Sequence, residues 1–121
     1  MRQYDIYHHL LPDIRSREKL FEVRSNTQQY RGVEEGEHIV LRSRTSGVEV
    51  EVTSKQTYNT IDEVFTDHSP ETLAPSFSID QRERLLGEIW CKEGYIVWGI
   101  RYIQDAKVKR NLSGRKFKKK R

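Results

Sequence analysis

The sequence predicts a single α+β domain: a small mixed, mainly antiparallel sheet curling toward a barrel, with two or three helices at one end or on one side. Three observations carry this. A chain of 121 residues has room for one core only. Its strand-like segments are joined by short links in the middle, with one helical stretch between the first two. Two reciprocal capping signatures then start helices in the second half. Repeated strand–helix alternation, the mark of a parallel βαβ sheet, is missing.

The elements follow in order. Gln3 to His8 mixes aromatic and branched residues and reads as a short strand. Leu10 to Glu18 reads as one or two helical turns, with Pro12 early and Leu11 and Ile14 as an apolar stripe. Leu20 to Arg24 alternates as a half-buried strand, Phe21 and Val23 on one face, Glu22 and Arg24 on the other. Residues 25–36 are polar with Asn26, Gly32 and Gly36, a surface loop. His38 to Arg44 contains Ile39-Val40-Leu41, a strand covered on both faces, and Thr45-Ser46-Gly47 reads as a hairpin turn. Val48, Val50 and Val52 then alternate with Glu49, Glu51 and Thr53, the clearest strand in the chain. Thr60 with Glu63, and Ser78 with Gln81, each place a hydroxyl three residues before a side chain that can return a hydrogen bond. The second of these helices puts Leu85, Leu86, Ile89 and Trp90 on one face, and Glu93-Gly94 ends it. Tyr95 to Ile103 is a long aromatic strand, and nothing periodic follows Asp105.

The net charge of +4 conceals a division. Residues 107–121 hold nine Lys or Arg and no acid, which leaves 13 basic and 18 acidic residues in the first 106, a net −5. The high pI therefore belongs to the tail, and attraction to a polyanion must come from the tail or from a local basic cluster. No run approaches the roughly 20 apolar residues of a membrane span, and the first eleven residues lack the long apolar core of a signal peptide. One cysteine, Cys91, excludes an internal disulfide framework. The expected setting is the cytoplasm, with the basic run readable as a nuclear address in a nucleated cell.

The segment Ile14-Arg-Ser-Arg-Glu-Lys19-Leu-Phe-Glu22-Val-Arg24 resembles the signature of ASCH domains, in which a short helix turns into a strand reading Lys-x-x-Glu-x-Arg. Gly36-Glu37-His38-Ile39 is similar to that family's Gly-Asp-x-Ile lead into the next barrel strand, and the capped helices and closing strand fall in the family's order. The resemblance covers residues 3 to 104. It departs where the family's turn carries Gly before the Lys, since Arg17 and Glu18 stand here, and where Glu37 replaces Asp. It implies a PUA-like barrel over residues 1–106, a cleft lined by the Lys-x-x-Glu-x-Arg strand, and an RNA or modified-nucleotide partner. Some small bacterial members of the family are amidohydrolases on acetylated cytidine that use a Lys, a Thr and a distant Glu. Lys19 matches the Lys, Glu22 stands at the Thr position, and residues 73–77 contain no Glu.

The residues themselves point the same way. Glu22 and Arg24 share a strand face, and Lys19 sits at the turn where it can swing over either face. A carboxylate beside an ammonium can hold a nucleobase edge or tune the lysine for base chemistry; the plain alternative is a solvated salt bridge worth about 0–1 kcal/mol. Tyr30 and Tyr58, beside polar loops, are candidates for stacking on a base, whereas the core takes Trp90 and one face of the last strand. Adjacent His8 and His9 would point apart on a strand and cannot chelate one ion together; with His38, His68 and Cys91 scattered, no metal or cofactor is expected. Cys91 reads as a packing residue on the helix. In the tail, Lys107, Lys109, Arg110, Arg115, Lys116, Lys118, Lys119, Lys120 and Arg121 are the expected phosphate contacts. The leading expectation is a module that binds RNA or a nucleotide. Its rivals are a small hydrolase, an amidohydrolase or a ribonuclease, with Lys19 as base and Glu22 orienting it, and a non-catalytic protein-interaction or regulatory domain. The sequence leaves the oligomeric state open.

Overall fold

The computed structural model describes residues 1–88 and 91–108. Its order is β1 (Gln3–Asp5), a 3-10 turn (His8–Leu10), α1 (Leu11–Arg15), β2 (Phe21–Ser25), α2 (Gln28–Arg31), β3 (His38–Ser43) and β4 (Ser46–Tyr58), then α3 (Ile61–Asp67), α4 (Pro70–Leu73), α5 (Ile79–Gly87) and β5 (Tyr95–Lys107). The fold class is α+β, as the alternation and caps predict. Five short α-helices stand among the described residues rather than two or three: α2 is a single turn inside the 25–36 segment that reads as a loop, and α4 is the one helical turn that the Pro70–Pro75 stretch allows. The two predicted caps form: Thr60 Oγ1 accepts from the Glu63 N–H at 3.2 Å, and Ser78 and Gln81 exchange hydrogen bonds at 2.9 and 3.2 Å. Ile89 and Trp90 lie outside the described residues.

The five strands form one sheet in the order β1-β3-β4-β5-β2. Only β1 and β3 pair in parallel; the other neighbours are antiparallel. The sheet curls far enough that Tyr4 on β1 packs 5.7 Å from the Trp98 ring on β5, three strands away. It does not close: among the described residues β1 and β2 remain its edges. The physical reason is the length of β1, which leaves the sheet after Asp5 and offers no further ladder to β2. A side chain spans the seam instead, as Arg24 Nη2 donates to the Asp5 carbonyl at 2.9 Å.

Three segments differ from expectation. His8 starts a 3-10 turn rather than ending the first strand. The β3–β4 turn is Arg44-Thr45, with Arg44 at φ 59°, so Gly47 falls inside β4. β5 runs past Ile103 to Lys107, because the 13-residue β4 supplies partners as far as Ser46, opposite Lys107. Lys107, read as the first tail residue, is thus the last residue of a strand. Val108 is buried against Gly47, where a Cβ would collide with its methyl group.

β5 serves two cores at once. Ile96, Trp98 and Ile100 join Ile39, Leu41 and the valines of β4 inside the curl, while Tyr95 and Val97 pack with Val23, Val64 and Leu73 on the other face. Alternation along β2 follows from its register with β5: Glu22 lies opposite Trp98 and Arg24 opposite Ile96. Its two charged residues therefore face the interior, and the strand is covered on both sides rather than half-buried.

Candidate functional site

α1 ends in a tight reversal. The Arg17 N–H donates to Ile14 O, and the Glu18 and Lys19 N–H groups both donate to Asp13 O at 3.0 Å. Arg17 takes φ 68°, the left-handed region where glycine is easiest. This is the turn in which the ASCH signature carries Gly. Here an arginine accepts the strained backbone, and its guanidinium donates to Tyr102 O at 3.2 Å and lies 5.6 Å over the Tyr102 ring. The reversal drives Lys19 inward.

Lys19 is 2% exposed. Its Nζ donates to Phe21 O and Leu73 O, each at 2.6 Å, and contacts Glu22 Oε1 at 3.1 Å. Three donors thus meet three acceptors, and the lysine is held rather than free to swing. Arg24 binds the other oxygen of Glu22 through Nε at 2.9 Å and Nη2 at 2.7 Å. Burial by itself pushes the Glu22 carboxyl up, but the cations of Lys19 and Arg24 outweigh it and hold the group below the usual carboxylate range. Burial likewise opposes charge on Arg24, and the Glu22 carboxylate more than compensates, raising it. The guanidinium carbon also lies 5.2 Å from the Tyr30 ring and 6.0 Å from the Trp98 ring.

This chain of charges lines a cleft of about 380 Å³ at the seam between β1 and β2. Ile6, Leu10, Leu73 and Leu85 give it apolar walls, and Tyr7 and Tyr30 give it aromatic ones. The structure therefore brings Lys19, Glu22, Arg24 and Tyr30 together. Tyr58 is elsewhere: its hydroxyl donates to Asp67 Oδ2 at 2.8 Å and approaches His68 Nε2 at 3.4 Å, in a cluster with Phe21 under α3. Burial and the Asp67 carboxylate push its phenol up to about 12. Lys107 is exposed at the end of β5, and residues 109–121, with the other predicted cations, lie outside the described residues.

Sequence reasoning missed several contributors. The Leu73 carbonyl meets Lys19 from a segment, residues 73–77, that contains no acid. The Asp5 carbonyl was invisible as a backbone atom. Tyr7 reaches across to Glu88, its hydroxyl donating at 2.7 Å. Asp13, 4% exposed, anchors the 73–77 segment through Ser76 N and Oγ at 3.2 and 2.7 Å. In the sequence Asp13 is only an acid in the short helix ahead of the Lys-x-x-Glu-x-Arg run, and its burial appears only in the fold. Among the described residues no group of three His, Cys, Asp or Glu side chains could hold a metal ion, and no helix is long and apolar enough to cross a membrane. Cys91, beyond the end of α5, is half-buried against the second core.

No protein-family profile matches the chain, and no curated protein is similar to it in sequence. Solved structures are similar in fold. The crystal structure of hypothetical protein PH0355 superposes with a TM-score of 0.71 at 18% identity, covering 85% of this chain and all of that one. The solution structure of protein PF0455 from Pyrococcus furiosus gives 0.64 at 19% identity, covering 84% and 96%. The crystal structure of a mutant ZmASCH from Zymomonas mobilis gives 0.60 at 11% identity, covering 88% and 72%. The chain therefore has an ASCH-type fold, the one that its Lys19-x-x-Glu22-x-Arg24 strand resembles.

Proposed function

We propose that this chain is a recognition module for a nucleotide or an unpaired base of RNA, working as a PUA-like barrel left open along one seam. The observation that supports it is the buried Lys19–Glu22–Arg24 chain in the wall of the seam cleft. An ionised carboxylate only accepts hydrogen bonds. Arg24 makes two contacts with one oxygen of Glu22, and Lys19 makes one with the other, which keeps an open lone pair. A ligand offering an amino or imino N–H, such as the edge of an amino-substituted base, satisfies it. Tyr7 and Tyr30 offer rings for stacking, the usual way in which single-stranded bases are held. The volume is within the range of small-molecule pockets. The basic tail adds sequence-independent attraction to phosphate.

The geometry favours binding over hydrolysis. A general base needs an available lone pair, and the Lys19 ammonium has its donors aimed at two carbonyls and a carboxylate. The test is a chemical-shift titration of the full chain with cytidine, its N4-acylated form, adenosine and short single-stranded RNAs. Glu22→Gln should weaken binding about 10–100-fold, the worth of a hydrogen bond to a charged group, while shifts centre on Tyr30 and Arg24. Absence of binding by every probe contradicts the reading, and turnover of the acylated nucleoside lost in Lys19→Met replaces it with the hydrolase.

A further inference from the structure

Charge on this chain is segregated more sharply than tail against body. Residues 60–93 carry eight acids and three bases, a net −5. Residues 1–59 and 94–106 together balance at ten and ten, so the helical segment accounts for the whole net negative charge of the body. That segment folds as α3, α4 and α5 around a groove of about 500 Å³. Ile61, Phe65, Pro70 and Ile79 line it with apolar surface, and Ile79 is 69% exposed. Glu71 and Glu83 flank it, both exposed, and among the described residues neither forms an ion pair. The cation in its lining, Arg82, directs Nε to Ala74 O and Nη2 to Pro75 O, each at 2.9 Å, and so leaves those carboxylates unanswered.

We propose that this groove docks the basic C-terminal segment of a second copy of the chain. Charge complementarity selects the occupant: residues 109–121 carry eight cations and no acid, with Leu112 and Phe117 as apolar anchors among them. Reach selects the second copy. Ile61 and Phe65 pack with Tyr95 and Val97 at the start of β5. The strand then runs twelve residues on to Lys107, at most about 40 Å at strand rise and less for its bulge at Ile103. Val108 is fastened there against Gly47. Residues 109–121 span about 45 Å fully extended, and Leu112, four residues from Val108, reaches only about 14 Å, so this anchor and the cations before it fall short of the groove on their own copy. A neighbouring copy is free of that restriction. The resulting contact is head-to-tail, tail of one copy on groove of the next.

The test is sedimentation of the full-length, nucleic-acid-free protein over a wide concentration range at low and high salt. Mass should rise with concentration at low salt and return to a single chain at high salt. Two full-length variants separate the halves of the contact: Glu71→Lys with Glu83→Lys, and Phe117→Ser with Lys118→Gln, Lys119→Gln and Lys120→Gln. All the altered groove residues are exposed, and circular dichroism checks that each variant folds. Each alone should lose the rise in mass. Mixed, they should form one-to-one pairs, because one keeps the tail and the other the groove. A wild type that stays a single chain at low salt, a variant that associates like wild type, or a mixture that does not pair overturns the proposal. No nucleic acid enters the assay, so its failure is separate from failure of the recognition reading.

Discussion

Two polar clusters flank β2, and they are built on different physics. On the interior face, Lys19, Glu22 and Arg24 are charged, nearly sealed from water and bound to one another. On the outer face, Tyr58 meets Asp67 and His68 beside Phe21, where a neutral phenol bridges to a more open carboxylate. The first cluster cannot lose its central acceptor without stranding two cations. The second can, because water replaces what is removed. Buried ion pairs are weak contributors while intact and expensive once broken, so such a chain is a costly way to build a wall unless that wall also recognises something.

The sharpest way to break this comparison is to remove the central carboxylate. Glu22→Leu leaves two buried cations without their counter-charge and should destabilise the fold by about 3–5 kcal/mol, lowering the melting temperature by roughly ten degrees or more. A loss no larger than that of an exposed pair would mean that the seam is wetter than its geometry implies.

Acid probes the same group more gently. The folded-state value of Glu22 is depressed, so its contribution is fully present above the unfolded range, about 4.3, and is lost as pH falls through the folded value. Melting temperatures of wild type and Glu22→Gln should therefore differ at neutral pH and converge in strong acid. Parallel curves down to the lowest pH would contradict the pairing.

The outer cluster should respond least. Tyr58→Phe removes one hydrogen bond to a partly solvated carboxylate and should cost about 1 kcal/mol. The phenol is raised from about 10 in the unfolded chain to about 12 in the fold. Its contribution is thus complete below pH 10 and declines as pH rises toward 12. A denaturation series across that interval should show the decline in wild type and not in Tyr58→Phe.

Local patterns were legible where they needed only neighbours. Val48, Val50 and Val52 announce a strand with one buried face, and all three are fully buried. The hydroxyls of Thr60 and Ser78, three residues before Glu63 and Gln81, place two helix starts because a cap is satisfied within one turn. The pairing of Glu22 with Arg24 followed from the period of a strand. The β3–β4 turn lies a residue or two before the position its Gly suggests, since Gly47 serves close packing with Val108 rather than the reversal.

What sequence alone determined, then, is the inventory: strand and helix segments, a Lys-x-x-Glu-x-Arg run, and a charge division between body and tail. Tertiary structure decided which of those charges meet. Lys19 is fixed by a carbonyl 54 residues away, and Arg24 by one from β1 across the seam. Backbone carbonyls are the same at every position of a sequence, so only the path of the chain can say which of them will face a buried cation.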